Sequence, residues 1–225
     1  MNELIIGDDF IKILLVLVLG SAALIITQRS LVSLFSIYAA QSAILAAVAL
    51  ALFTREGTAS LLFMAVLTVA SKVIIIPFFL RRLLAVMPIK RDLEFHYLTP
   101  IGSIILSTGL FFVVYQAFSA LSPALEVSRL FILGAVIGVS LALMGMMVIM
   151  SRRKVITKII GYLSMENGVL LFSMFIAEMP FIIEVLIIVD LLMIIVLSAV
   201  LAFGIDSSVE AFHKRLNQLG LDFED

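Results

Sequence analysis

Residues Leu130 to Met150 read LFILGAVIGVSLALMGMMVIM, a run without a single charge, and Arg152, Arg153 and Lys154 follow it at once. Val155–Ile176, VITKIIGYLSMENGVLLFSMFI, is apolar again, with Glu166 and Asn167 set in its middle. A helix rises about 1.5 Å per residue, so ~20 mostly apolar residues match a hydrocarbon core ~30 Å thick. Apolar run, basic turn, apolar run is therefore the signature of two helices crossing a bilayer and joined on the side where Lys and Arg accumulate.

Working outward, the same criterion selects seven runs: Phe10–Ile26, Leu31–Phe53, Ala59–Leu80, Leu98–Ser119, Leu130–Met150, Val155–Ile176 and Phe181–Phe203. The runs are continuous instead of alternating, which excludes a barrel, and helices satisfy their own backbone in hydrocarbon. The expected fold is an all-α integral membrane protein with a bundle of seven transmembrane helices. Composition agrees: of 225 residues 63% are hydrophobic and 14% charged, with a mean hydropathy of +1.25. A soluble globule and a disordered chain are both excluded by that balance. Fifteen basic against sixteen acidic residues give no footprint for nucleic acid.

Basic residues set the expected sidedness. Eleven fall at one set of helix ends (Arg29; Arg81, Arg82, Lys90, Arg91; Arg152, Arg153, Lys154, Lys158; Lys214, Arg215), against Lys12, Arg55 and Arg129 at the other. The N-terminus is expected outside and the C-terminus in the cytoplasm. Met1–Asp9 is acidic where a secretory signal needs basic residues, so the first run reads as a retained span. After Phe203, Ser207 and Glu210 resemble a capping box, and Val209, Phe212, Leu216 and Leu219 recur at helical spacing, which predicts a short amphipathic tail helix. The chain reads as one membrane domain: helices one to three with a basic loop over 1–97, helix four and an outer loop over 98–129, a three-helix unit over 130–203, and the tail over 204–225.

With no cysteine, and with only His96 and His213 far apart, the chain offers no thiolate, iron–sulfur or metal-ligand pattern. What remains is charge where it is costly. An ionisable group at mid-bilayer costs at least ~2.5–3.5 kcal/mol on insertion scales, so Lys72, Glu166, Glu184 and Asp190 each need a partner, a water path or a role. Glu166 and Asp190 stand equally far on either side of the outer turn near Glu178–Pro180 and should meet at one depth, whereas Glu184 should lie nearer the outer surface. Lys72 precedes Pro77, which invites a kink or local hydration. Tyr38 and Gln41 share a face and could continue a hydrogen-bonded axis. Gly134, Gly138, Ala142 and Gly145 form a small-residue seam read as packing.

Several of these motifs, in order, look familiar. Gly161-Tyr-Leu-Ser-Met-Glu166-Asn167-Gly168, then Pro180, Glu184 and Asp190, together with Tyr38-Ala-Ala-Gln41-Ser42 and Lys72-Val-Ile-Ile-Ile-Pro77, resemble component E of the hydrogenase-4 type complexes, membrane subunits of group 4 nickel–iron hydrogenases. The resemblance runs from Leu31 to about Phe203. The last three helices are also similar to the K-type subunit of respiratory complex I and the C-type subunit of multisubunit cation/proton antiporters. In that K-type pattern Glu166 matches one buried carboxylate; Asp190 or Glu184 matches the other, with aspartate at 190 where the pattern has glutamate.

The resemblance implies a multi-pass subunit of a bacterial inner or archaeal plasma membrane, in the membrane arm of a formate hydrogenlyase-like pump for protons or sodium. Its site would be Glu166, Asp190, Glu184, Lys72, Tyr38 and Gln41. It implies no cofactor on this chain, with the Ni–Fe centre and Fe–S clusters on partners. Those partners would be antiporter-like membrane subunits, a hydrogenase-anchoring membrane subunit, and peripheral nickel–iron hydrogenase and iron–sulfur subunits, all around the lipid bilayer. A scaffold subunit of the same complex and a C-type antiporter subunit are the alternatives. A stand-alone carrier is disfavoured, because no internal repeat is visible.

Overall fold

The computed structural model describes the backbone of residues 2–86, 99–125, 128–152, 155–175, 188–193, 195–197 and 199. Glu184, His96, His213, the outer turn at Glu178–Pro180 and the expected tail helix lie outside the described residues. Those described form helices and no sheet: α1 Asn2–Thr27, α2 Leu31–Glu56, α3 Ala59–Thr68, a π-helical segment Val69–Ile75, α4 Ile76–Val86, α5 Pro100–Leu125, α6 Arg129–Ser151, α7 Val155–Phe175 and α8 Ile188–Leu197. Five stretches are long and apolar enough to cross a membrane: Gly7–Thr27, Leu31–Glu56, Ala59–Ala85, Ile101–Leu121 and Arg129–Ser151. They correspond to the first five expected spans. Their outward faces carry large apolar side chains, among them Ile101, Ile105, Val113 and Met150, a surface that suits lipid and not water.

Local chemistry sets the ends. Ser30 is extended and lets α2 start afresh after α1; Gly57 closes it at φ 69°, the left-handed conformation that glycine takes without strain, with its N–H donating to Phe53 O. Ser128 caps α6 by accepting from the Phe131 N–H at 3.2 Å. Helix α2 is the hub of the bundle and touches α1, α3, the π segment, α4 and α7. Helix α5 lies at the rim against α6 and α1.

The closest contact is between α6 and α7, which run antiparallel. A Cβ at Gly138 would sit 2.7 Å from Phe172 N, and one at Gly161 would sit 3.0 Å from Gly145 O. Cβ atoms at Gly145 and Gly168 would run into the backbone nitrogens of Met165 and Ala142. The seam expected on α6 is thus a packing face, and α7 answers it with glycines of its own, so the two backbones touch.

Helix α6 ends on the extended residue Arg152, counted in the sequence among the loop cations. It is buried, and its guanidinium donates to Ile26 O at 2.7 Å and to Gln28 O at 3.1 Å. These carbonyls close α1, so the cation sits at the negative end of that helix dipole. Burial draws Arg152 down from its usual range to about 10, which leaves it charged at neutral pH. Arg152→Gln is expected to cost about 1.5–3 kcal/mol, the worth of a hydrogen bond to a charged group, read from thermal unfolding in detergent. An unchanged midpoint would show that the cap carries nothing.

Pro77 was the expected weak point of the third span. The irregularity appears just upstream of it: Val69–Ile75 is wound as a π-helix, and the Ile76 N–H reaches back to Ser71 O. Proline lacks an N–H, and in a regular α-helix its ring crowds the carbonyl four residues earlier. A wider turn relieves that crowding, and such turns recur at functional sites.

Candidate functional site

The π segment carries Ser71 and Lys72, both buried. Lys72 is 0% exposed, Glu166 4% and Asp190 3%, so three ionisable side chains from three helical elements lie away from solvent. Lys72 Nζ stands 2.9 Å from Glu166 Oε1 and 3.7 Å from Asp190 Oδ1. Neither Nζ nor either Glu166 oxygen makes a hydrogen bond of good geometry among the described residues. The contact is electrostatic and directionally loose.

Among the described residues, one ammonium faces two carboxylates. Were all three ionised, the cluster would carry a net charge of −1 in a buried place, which is unfavourable by several kcal/mol per unpaired ion. Buried carboxylates in that position share a proton or are matched by another cation. The arrangement can therefore take up and give back one positive charge, which a one-to-one ion pair cannot do.

Two residues that the sequence reading did not single out complete the neighbourhood. Ser71 Oγ lies 2.8 Å from Leu67 O and 2.7 Å from Asp190 Oδ2. Asn167 donates to Gln41 Oε1 at 3.2 Å and to Ser42 Oγ at 3.1 Å. Gln41 is the centre of a buried polar chain: Ser164 donates to its Oε1 at 3.2 Å, and its Nε2 donates to Ser21 Oγ at 3.1 Å. That chain joins α7, α2 and α1 through the amide oxygen and nitrogen of Gln41. The Tyr38 hydroxyl, from the same face of α2, is buried without a hydrogen-bond partner among the described residues. The signals were present in part: Ser164 and Asn167 are three apart on one helix face, and Ser71 adjoins Lys72. A lone serine in an apolar helix usually bonds its own backbone, so the sequence does not mark Ser71.

Comparison with family models, with curated proteins and with solved structures finds no match. The functional reading therefore rests on the residues themselves.

Two apolar hollows among the described residues offer no rival. A cleft of about 370 Å³ between α1, α5 and α6 is lined by residues such as Val16, Ala23, Ile104 and Phe111. Another of about 420 Å³ lies between α5 and α6 against Leu106, Leu143 and Met147. Neither has a titratable side chain in its wall. Of the sequence-selected residues, Lys72, Glu166 and Asp190 come together, and Tyr38 and Gln41 line α2 beside them; Glu184 lies outside the described residues.

Proposed function

We propose that this chain is a non-redox subunit in the membrane arm of a group 4 membrane-bound hydrogenase or formate hydrogenlyase-like complex. Its buried Lys72, Glu166 and Asp190 take part in moving protons or sodium ions while electrons pass through other subunits. In this reading α7 and the helix containing α8 are the sixth and seventh spans, the N-terminus is outside and the C-terminus cytoplasmic. The Ni–Fe centre and the iron–sulfur clusters belong to the peripheral partners. Antiporter-like and hydrogenase-anchoring subunits flank the chain in the membrane.

The observation that carries the proposal is the two-to-one ratio of carboxylates to ammonium in a buried cluster, which a static lock does not need. The resemblance in the Tyr38, Lys72 and Glu166 motifs supplies the host complex. Glu166→Gln in the assembled complex is expected to leave hydrogenase turnover and complex yield near wild type while abolishing turnover-coupled ion movement into membrane vesicles. Unchanged ion movement in a complex that still assembles would end the transport reading.

A scaffold role is the second reading, favoured by the backbone contact of α6 with α7 and by the Arg152 cap. It expects the same substitution to lower yield and leave ion movement per assembled complex intact. Co-purification identifies the host: nickel–iron hydrogenase subunits for the proposal, antiporter subunits alone for a C-type antiporter component.

A further inference from the structure

Helix α5 is the least enclosed of the five long helices: 11% of its apolar stretch is buried, against 39% or more in the other four. It meets α6 where Ser107 lies 3.9 Å from the Met147 sulfur, and the cleft of about 370 Å³ opens on the α1 side of that contact. The spans of α1, α5 and α6 have their middles at Leu17, Phe111 and Ser140. The cleft runs from Val16 to Ile26 on α1 and from Ile104 to Phe111 on α5, and takes in Met144 of α6. All three helices therefore place it in one half of the membrane, the half that ends at Arg29 and Arg152. Val16 to Ile26 covers about 15 Å, half of a hydrocarbon core ~30 Å thick. The cleft is one leaflet deep.

Its width selects the occupant. Spread over that length, about 370 Å³ leaves a cross-section of about 25 Å². A helix, about 10–12 Å across, needs roughly three times as much, whereas an extended hydrocarbon chain, bounded by carbon contacts of ~4 Å, fits. Gly20 and Ala23 make the room: both line the wall, and nothing lies within 4 Å of a Cβ added at Gly20. The hydroxyls in the wall ask for no polar ligand, since Ser107 donates to Ser103 O at 2.7 Å and Thr108 to Ile104 O at 2.9 Å. Charge gathers only at the mouth. The Ile26 carbonyl accepts from Arg152 at 2.7 Å, and the exposed Arg29 follows three residues on. Among the described residues this end of the bundle carries Arg29, Arg81, Arg82, Arg152 and Lys158 and no acid. Basic pockets between spans attract anionic head groups. We propose that the cleft between α1, α5 and α6 binds one acyl chain of an anionic phospholipid, whose phosphate is held at the Ile26 end by Arg29 in the field of Arg152. The site is independent of any part in a hydrogenase and needs only that the long apolar helices cross a membrane.

The test is native mass spectrometry of the full chain, stripped of lipid in detergent and titrated with phosphatidylglycerol or with phosphatidylcholine of the same acyl chains. One phosphatidylglycerol is expected to bind at least about ten-fold more tightly than phosphatidylcholine, the size of effect that one well-placed charge gives. Gly20→Leu fills the cleft and weakens that binding by a similar factor, while the melting midpoint of the lipid-free protein does not fall, because leucine favours a helix over glycine. Arg29→Gln brings phosphatidylglycerol to the level of phosphatidylcholine. Arg82→Gln, on α4, which packs on the π segment and α2, leaves it unchanged. A phosphatidylglycerol with a photoactivatable group at the end of its chain labels the inner end of the cleft, near Val16 and Phe111, which locates the site without any substitution. The proposal is overturned if the two lipids bind alike, if Gly20→Leu binds as the unaltered chain does, if Arg82→Gln costs as much as Arg29→Gln, or if the label spreads over the exposed faces of α2 and α3. Failure to bind either lipid also overturns it and leaves a partner subunit as the cover of the cleft.

Discussion

Lys72→Met is expected to remove about 3–5 kcal/mol of stability, the usual consequence of taking one partner from a buried ion pair. In a chain of this length that corresponds to roughly 2–4 °C of thermal midpoint per kcal/mol, measured in detergent on the purified protein. The loss comes from the carboxylates left behind and not from missing packing, because methionine fills much of the lysine stem. A second change that removes an acid should therefore restore part of it: Lys72→Met with Glu166→Gln is expected to melt above Lys72→Met alone. Additive losses in the double variant would show that Lys72 and Glu166 do not act as a pair. A midpoint for Lys72→Met within ~0.5 kcal/mol of wild type, the range of ordinary surface changes, would show that the cluster is not held by charge.

The other large effect is steric. Gly168→Val places a branched side chain where even a Cβ meets Ala142 N and comes within 2.6 Å of Gly138 O. Backbone atoms of a hydrogen-bonded helix cannot step aside, so α6 and α7 must part along their length. Overpacking in cores typically costs ~1–3 kcal/mol; here the upper end or beyond is expected. Glu166 and Asn167, less than a turn away on α7, leave their positions with it. The thermal midpoint in detergent reads this, and it falls. Gly20→Ala is the control, since nothing lies within 4 Å of its added Cβ; its effect should stay within ~0.5 kcal/mol. Equal behaviour of the two variants would show that the α6–α7 contact is loose.

Much of the architecture is legible before any coordinates. The charge-free run Leu130–Met150 reads as a helix long and apolar enough to cross a membrane, as Arg129–Ser151 is, and the spacing of Gly134, Gly138 and Gly145 marks the face that a neighbour must approach. The equal distance of Glu166 and Asp190 from Glu178 predicts a common depth for the two, and in the structure both stand against the Lys72 ammonium. What escapes the sequence depends on partners far along the chain. Arg152 looks like any loop cation, because nothing near it shows that the carbonyls of Ile26 and Gln28 wait across the bundle. Gln41 suggests a hydrogen bond but not that Ser21, Ser164 and Asn167 converge on it from two other helices. Pro77 announces a disturbance in its helix without saying that it takes the form of a widened turn. Ser71 is invisible because its partner, Asp190, lies 119 residues further along the chain.

The widened turn at Val69–Ile75 has one more implication. Pro77 pins it, since closing the turn to regular α geometry would press the proline ring against the carbonyl of Val73. The azimuth of Lys72 about its helix axis is thereby fixed; a register slip of one residue would swing it by about 100°, and the proline stands against such a slip. Any exchange of allegiance between Glu166 and Asp190 must then be made by the four-carbon stem alone. Its two oxygen contacts differ by less than 1 Å, 2.9 against 3.7 Å, so a small torsional adjustment suffices and the scaffold around it can stay still.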